Sequence, residues 1–150
     1  EKLLQAVETD MTLFYRRLVQ LPLASENLNL SNCLKLLDCC YYRPEQLTDD
    51  YQQMLMSWLQ RYAERSRNDS ATADERKTIM NRTNPKYVLR NYLAQEAIEL
   101  ATQGDFSRIH QLQALLRQPY LEQPNSGQFS QKRPDWARQK AGCSMLSCSS

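Results

Sequence analysis

Glycine is scarce in this chain: its 150 residues include three, Gly104, Gly127 and Gly142, and no two lie near each other. A Rossmann GxGxxG, a Walker A loop and a kinase-type glycine-rich loop each need closely spaced glycines, where backbone must approach phosphate. None is encoded here. Histidine occurs once, at His110, which excludes HExxH and other multi-histidine metal sites. Valine and isoleucine together number 6 against 22 leucines. β-Branched side chains favour strands and leucine favours helices, so this imbalance argues against a sheet. No apolar run is long enough for a membrane span, and no signal-type apolar core follows Glu1 and Lys2. Charge of one sign is also not in excess, with 19 basic residues, 17 acidic ones and a net of +2. The whole surplus sits in 122–150, where Lys132, Arg133, Arg138 and Lys140 face Glu122 and Asp135. A neutral body with a faintly basic tail lacks the dense basic face that nucleic acid or an anionic membrane requires, so neither is expected as a partner.

What is present is helical periodicity. Apolar spacing and end signals predict an all-α fold of about five helices with an irregular C-terminal tail. One stripe, Leu3, Leu4, Val7, Met11, Phe14, Leu18 and Leu21, predicts a helix over 1–21 that Pro22 stops. The periodicity is already running at Glu1, which is not Met, so the chain reads as a segment of a longer protein. A shorter helix, 31–42, starts at Ser31 as its N-cap and carries Cys33, Leu34, Leu36, Leu37 and Cys40. Thr48 caps the next, with Asp49 and Asp50 in the first turn, where the helix dipole favours negative charge. Its buried face is Tyr51, Met54, Leu55, Trp58, Leu59 and Tyr62, and polar residues 64–70 follow as a loop.

Thr72 and Glu75 have capping-box spacing and open a short helix that ends near Asn81. Asn84-Pro85 reads as a further start signal, for a helix over 85–103 ended by Gly104. A last helix, 106–118, forms an antiparallel pair with it. Together the stripes place Tyr51, Trp58, Val88, Leu89, Leu93, Leu112 and Leu116 in the core of a helical region spanning 1–121. From 122 to 150 the period collapses into Pro, Ser, Gln and Gly, and Trp136 is the expected anchor of this tail.

Five cysteines are candidates for chemistry. Cys33, Cys39 and Cys40 lie among leucines and read as small buried apolar side chains. No CxxC pair supports a zinc site. Cys143 and Cys148 flank Ser-Met-Leu-Ser, and Cys148 is third from the carboxyl end. A chain end lets a sulfur approach a partner with little backbone strain, so Cys148 is the candidate redox thiol. Its partner is either Cys143, closing a small ring, or a distant cysteine elsewhere, closing a long loop that gains more from crosslinking. Tyr41, Tyr42 and Arg43 offer a polar surface cluster, and Lys86, Arg90 and Asn91 share one face of the expected 85–103 helix. Both sets also fit a plain solvated or structural role. His110 has no Cys, Ser or Asp partner at a catalytic spacing and reads as structural.

Two stretches together carry a family resemblance. Met80-Asn81-Arg82-Thr83-Asn84-Pro85-Lys86-Tyr87-Val88-Leu89-Arg90-Asn91-Tyr92-Leu93, with Pro134-Asp135-Trp136-Ala137 and the ending Cys143-Ser-Met-Leu-Ser-Cys148-Ser-Ser, resembles the C-terminal part of the selenoprotein O family. The likeness is close over 80–150 and loose over 1–79. That family resembles protein kinases in fold, and places selenocysteine or cysteine where Cys148 stands. The resemblance implies a parent that is a protein adenylyltransferase. Such a parent binds ATP with Mg²⁺ and moves AMP to Ser, Thr or Tyr hydroxyls of protein substrates, with a cytoplasmic location in bacteria and a mitochondrial one in eukaryotes. It also implies that the tail packs on an upstream catalytic domain and that Cys148, with Cys143 nearby, gives redox control. No VAIK-like lysine, HRD or DFG is present, and Gly104-Asp105-Phe106 has the letters in the wrong order. The catalytic, nucleotide and metal residues are therefore expected before Glu1, with none in this chain. The competing reading, from another class, is a non-catalytic helical protein-interaction module.

Overall fold

The computed structural model describes residues 2–23 and 28–143. Among them the fold is all-α, with seven α-helices and no strand. The chain divides into two compact units, Glu1–Asn84 and Pro85–Ser150. Residues 122–143 belong to the second unit, so the expected division at 121/122 does not separate compact bodies.

The first unit opens with a correction. The stripe expected as one helix over 1–21 is broken into α1, Lys2–Ala6, and α2, Met11–Leu18. Between them Thr9 forms an isolated antiparallel bridge with Tyr41, flanked by Asp10 N donating to Cys40 O at 2.8 Å and Tyr42 N to Glu8 O at 3.0 Å. Asp10 causes the restart. It takes an extended conformation, and its carboxylate accepts from Leu13 N at 3.0 Å, the bond an N-cap makes. It also accepts from Tyr42 Oη at 3.0 Å, which fixes a nearly buried carboxylate.

Helix α3, Leu30–Leu37, is capped by Asn29 rather than by Ser31, because Asn29 Oδ1 takes the bond from Asn32 N. A 3₁₀ turn, Asp38–Cys40, completes the segment. Thr48 caps α4, Asp49–Arg67, as expected, but the helix continues to Arg67 and takes in the first part of the stretch 64–70 expected as a loop. Thr72 and Glu75 form the capping box of α5, Ala73–Thr83. Phe14, Leu18, Leu37, Tyr41, Leu55 and Leu59 are sealed in the core, where each large apolar side chain contributes roughly 1.5–3 kcal/mol. Trp58 is only half-buried, stacked on Tyr62 at 5.3 Å. Arg16 binds the end of α5 through Asn81 O and Asn84 O.

The second unit begins with another correction. Residues 85–90 are not helical, and α6 runs Asn91–Thr102. Asn84 ends α5 instead of starting a helix, since its backbone N–H and its amide both donate to Met80 O. Lys86 N and Tyr87 N then donate to Pro119 O. The loss of helical register explains why two expected core residues fail: Leu89 is 55% exposed and Val88 only half-buried, while Tyr87 is sealed instead. Gly104, at φ +85°, ends α6, and α7, Ser107–Leu116, returns antiparallel to it. Asp105 Oδ1 accepts from Ser107 N at 2.8 Å, which holds the turn. Leu93, Ala97, Leu112 and Leu115 are buried, and Leu116 is half-buried.

Candidate functional site

Cys148, the expected redox thiol, lies outside the described residues, as does the Ser-Met-Leu-Ser that precedes it. What the structure builds is the seat of the tail that carries it. Residues 122–143 fold over the α6–α7 hairpin through two 3₁₀ turns, Gly127–Ser130 and Asp135–Arg138, each burying one side chain, Phe129 and Ala137. Phe129 lies under the Arg108 guanidinium at 5.2 Å. Trp136 is not the anchor the sequence suggested. Its ring is 47% exposed, meeting Tyr92 edge-on at 6.1 Å with Lys140 Nζ above it at 5.2 Å. Phe129 is the anchor, a less prominent residue in sequence because serines and glutamines surround it.

Polar contacts fix the register. Gln123 donates to Leu115 O and Gln118 O, both at 2.9 Å, which satisfies carbonyls at the C-terminal end of α7. Lys86 pairs with Glu122. Lys140 pairs with Glu99 at 2.6 Å, and Gln95 donates to the same carboxylate at 3.1 Å. Those hydrogen bonds, from Lys140 first and Gln95 second, hold the Glu99 carboxyl below the usual glutamate range. Asn91 Nδ2 donates to Cys143 O at 3.3 Å. Gly142, at φ +86°, lies so close to Gln95 that a Cβ would fall 2.1 Å from its Oε1.

Cys143 therefore ends the described tail as a buried free thiol against α6. Any reaction of that sulfur first requires the 140–143 turn to leave Asn91 and Gln95. The sequence pointed to Cys143, and to Asn91 only as part of a surface set with Lys86 and Arg90, but not to Gln95. The glycine at 142, next to Cys143, was the one local signal available.

The other candidates occupy varied settings. Cys33 and Cys40 are buried, and burial pushes both thiols up from their ordinary range. Cys39 is partly exposed and accepts from Arg17 Nε at 3.3 Å, with its sulfur 4.0 Å from that of Cys40. Tyr41 is buried, receives a hydrogen bond from Tyr51 Oη at 3.2 Å, and is raised mainly by desolvation. Arg43 faces Glu8 at 3.7 Å. Lys86, Arg90 and Asn91 share no helix face, because 85–90 is not helical, and His110 is exposed on α7. A cavity of about 220 Å³ lies between Leu18–Leu23 and α5, rimmed by Asp74, Arg76 and Lys77. Among the described residues no three His, Cys, Asp or Glu side chains converge where a metal ion could sit, and no helix is long and apolar enough to cross a membrane.

Two helical units and a tail seated on the second define a helical protein module. Comparison with known proteins gives its relationship. The family profile described as protein adenylyltransferase SelO matches residues 1–117. A protein nucleotidyltransferase YdiU of Rhodopirellula baltica is 47% identical over 155 aligned positions, covering 99% of this chain and 29% of its own length. The protein of that name from Azoarcus sp. is 44% identical over 98% of this chain and 27% of its own length. That from Methylobacillus flagellatus is 47% identical over 99% and 27%. The chain belongs to the SelO protein adenylyltransferase family. Its likeness is not confined to 80–150, since the family match begins at residue 1 and takes in the stretch that the motifs covered only loosely. The chain spans under a third of the length of the curated relatives it matches.

Proposed function

We propose that this chain is the helical C-terminal portion of a protein nucleotidyltransferase, and that the parent protein transfers AMP from ATP to Ser, Thr or Tyr hydroxyls of protein substrates, releasing pyrophosphate. The observation that carries the reading is identity of 44–47% across nearly the whole chain with proteins named protein nucleotidyltransferase. ATP with Mg²⁺ does not fit the residues of this chain. Its glycines stand singly, no ligand cluster gathers among the described residues, and the cavity rim offers Arg76 and Lys77 beside an opposing Asp74. No step of the transfer is assigned to a residue here.

The role proposed for this part of the protein is redox control through the tail. Cys148 and a second thiol form a disulfide, giving two electrons and two protons to hydrogen peroxide, which leaves as two waters. Burial of Cys143 against α6 supports a second thiol elsewhere in the parent, because pairing with Cys143 would first unseat the tail. The test is AMP transfer by the full-length protein with labelled ATP, under reducing and oxidising conditions, for the native protein and Cys148→Ala. Transfer that changes with redox state only in the native protein supports the reading. Absence of transfer, or the same redox response in both proteins, overturns it.

A further inference from the structure

Of the four cysteines among the described residues, Cys33, Cys40 and Cys143 are buried, and Cys39 alone is partly open to solvent. Cys39 lies in the 3₁₀ turn Asp38–Cys40 that follows α3. Arg17, in the last turn of α2, donates from Nε to Cys39 Sγ at 3.3 Å. Its Nη1 donates to Gln20 Oε1 at 3.1 Å, which steadies the guanidinium beside the sulfur. Cys40 Sγ stands 4.0 Å from the same sulfur. Cys40 is sealed from solvent, and burial first, with Cys39 beside it second, pushes its thiol up. Cys40 therefore keeps its proton and is the donor between the two sulfurs. Two donors from different elements converge on one accessible sulfur, and one of them is a permanent cation. A sulfur attacks peroxide as its thiolate, and cationic hydrogen-bond donors are the neighbours that sustain that form.

We propose that Cys39 is an oxidisable thiol separate from the tail, converted by hydrogen peroxide to a sulfenic acid that stays beside the Arg17 guanidinium. The sulfur attacks one peroxide oxygen. An S–O bond forms and the O–O bond breaks, sulfur gives up two electrons, and the departing hydroxide takes the thiol proton and leaves as water. Cys40 is close enough to hold the product but badly placed to capture it. Adjacent α-carbons stand about 3.8 Å apart across a trans peptide, short of the roughly 4.4–6.8 Å that a disulfide spans without strain. The sulfenic acid lasts until an external thiol displaces its hydroxyl as water. A second external thiol then takes the first away as a disulfide and restores Cys39.

The test treats the full-length protein, native and as Cys148→Ala, with hydrogen peroxide in the presence of dimedone, which traps sulfenic acids. Mass spectrometry reads the adduct residue by residue, with fragment ions separating Cys39 from Cys40. Cys39 should label at least about tenfold faster than Cys33 or Cys40, which must wait for local opening, and at the same rate in both proteins. Arg17→Met should slow Cys39 by about tenfold, the size of one charge-assisted hydrogen bond. Arg17→Lys, which keeps the charge and loses the planar fork, should fall between the two. A circular dichroism melt checks that each variant is folded. No adduct on Cys39, equal labelling of the three cysteines, or an unchanged rate in both Arg17 variants would overturn the proposal. A Cys39–Cys40 disulfide in place of the adduct would also overturn it, because the sulfenic acid would then not be held. So would labelling of Cys39 that disappears in Cys148→Ala, since the thiol would then act through the tail. None of these readouts uses AMP transfer, so the thiol chemistry stands or falls apart from it.

Discussion

Replacing Gly142 by alanine should release the tail. At φ +86° a residue with a Cβ is strained by about 1–2 kcal/mol. The new Cβ would also lie 2.1 Å from Gln95 Oε1 and 2.7 Å from its Cδ, so the Gln95 side chain must swing away. It would then give up its bond to Glu99, worth about 1 kcal/mol. The expected total is about 2–3 kcal/mol. Gln95→Ala removes the atoms in the way, so in that background Gly142→Ala should cost only the backbone part, and the cycle should show a coupling of about 1 kcal/mol. Urea denaturation measures the cost. Peptide-level alkylation of Cys143 measures the release, because a loss of 2 kcal/mol raises the open population about 30-fold. If Gly142→Ala costs under about 0.5 kcal/mol, or if Cys143 alkylates no faster, the tail is not held in the way described.

Other substitutions separate the anchors and the titrating groups. Phe129→Ala should cost about 3–5 kcal/mol in urea denaturation, while Trp136→Ala should cost well under half of that because its ring is half in solvent. Asp10→Ala should lose about 0.5–2 kcal/mol of capping and also the hydrogen bond from the Tyr42 hydroxyl, which a circular dichroism melt will report as a lower Tm. Glu99 has a folded pKa below its unfolded one, so its contribution is present above the unfolded value and is lost as pH falls through the folded one. Lys140→Gln should therefore flatten the acid limb of a stability–pH profile. Tyr41, Tyr51 and Tyr62 are raised, chiefly by burial. Stability is then complete below the ordinary tyrosine pKa of about 10 and falls as pH rises above it, less steeply in Tyr41→Phe.

Much of the fold was legible because local chemistry and packing agreed. Thr48 and the Thr72–Glu75 box cap the helices their spacing announced. Failures came where one residue type serves two ends. Asn84-Pro85 has the letters of a helix start, yet Asn84 bonds back to Met80 and Pro85 follows a helix end, so the register of 85–90 was misread and Leu89 placed in the core. The break at Val7–Asp10 was hidden because the apolar stripe continues through it; only the pairing of Thr9 with Tyr41, thirty-two positions away in sequence, reveals it. Phe129 lost to Trp136 for want of periodicity in the tail. At the candidate site the thiols were visible, but the grip on Cys143 depends on Asn91, Gln95 and Gly142, which no sequence spacing brings together.

If the parent protein transfers AMP and the nucleotide site lies outside this chain, titration calorimetry with ATP and Mg²⁺ should separate the full-length protein from residues 1–150 alone. Saturable binding is expected for the full-length protein and none for the chain alone; micromolar binding by residues 1–150 would place part of the nucleotide site in this chain and refute the assignment.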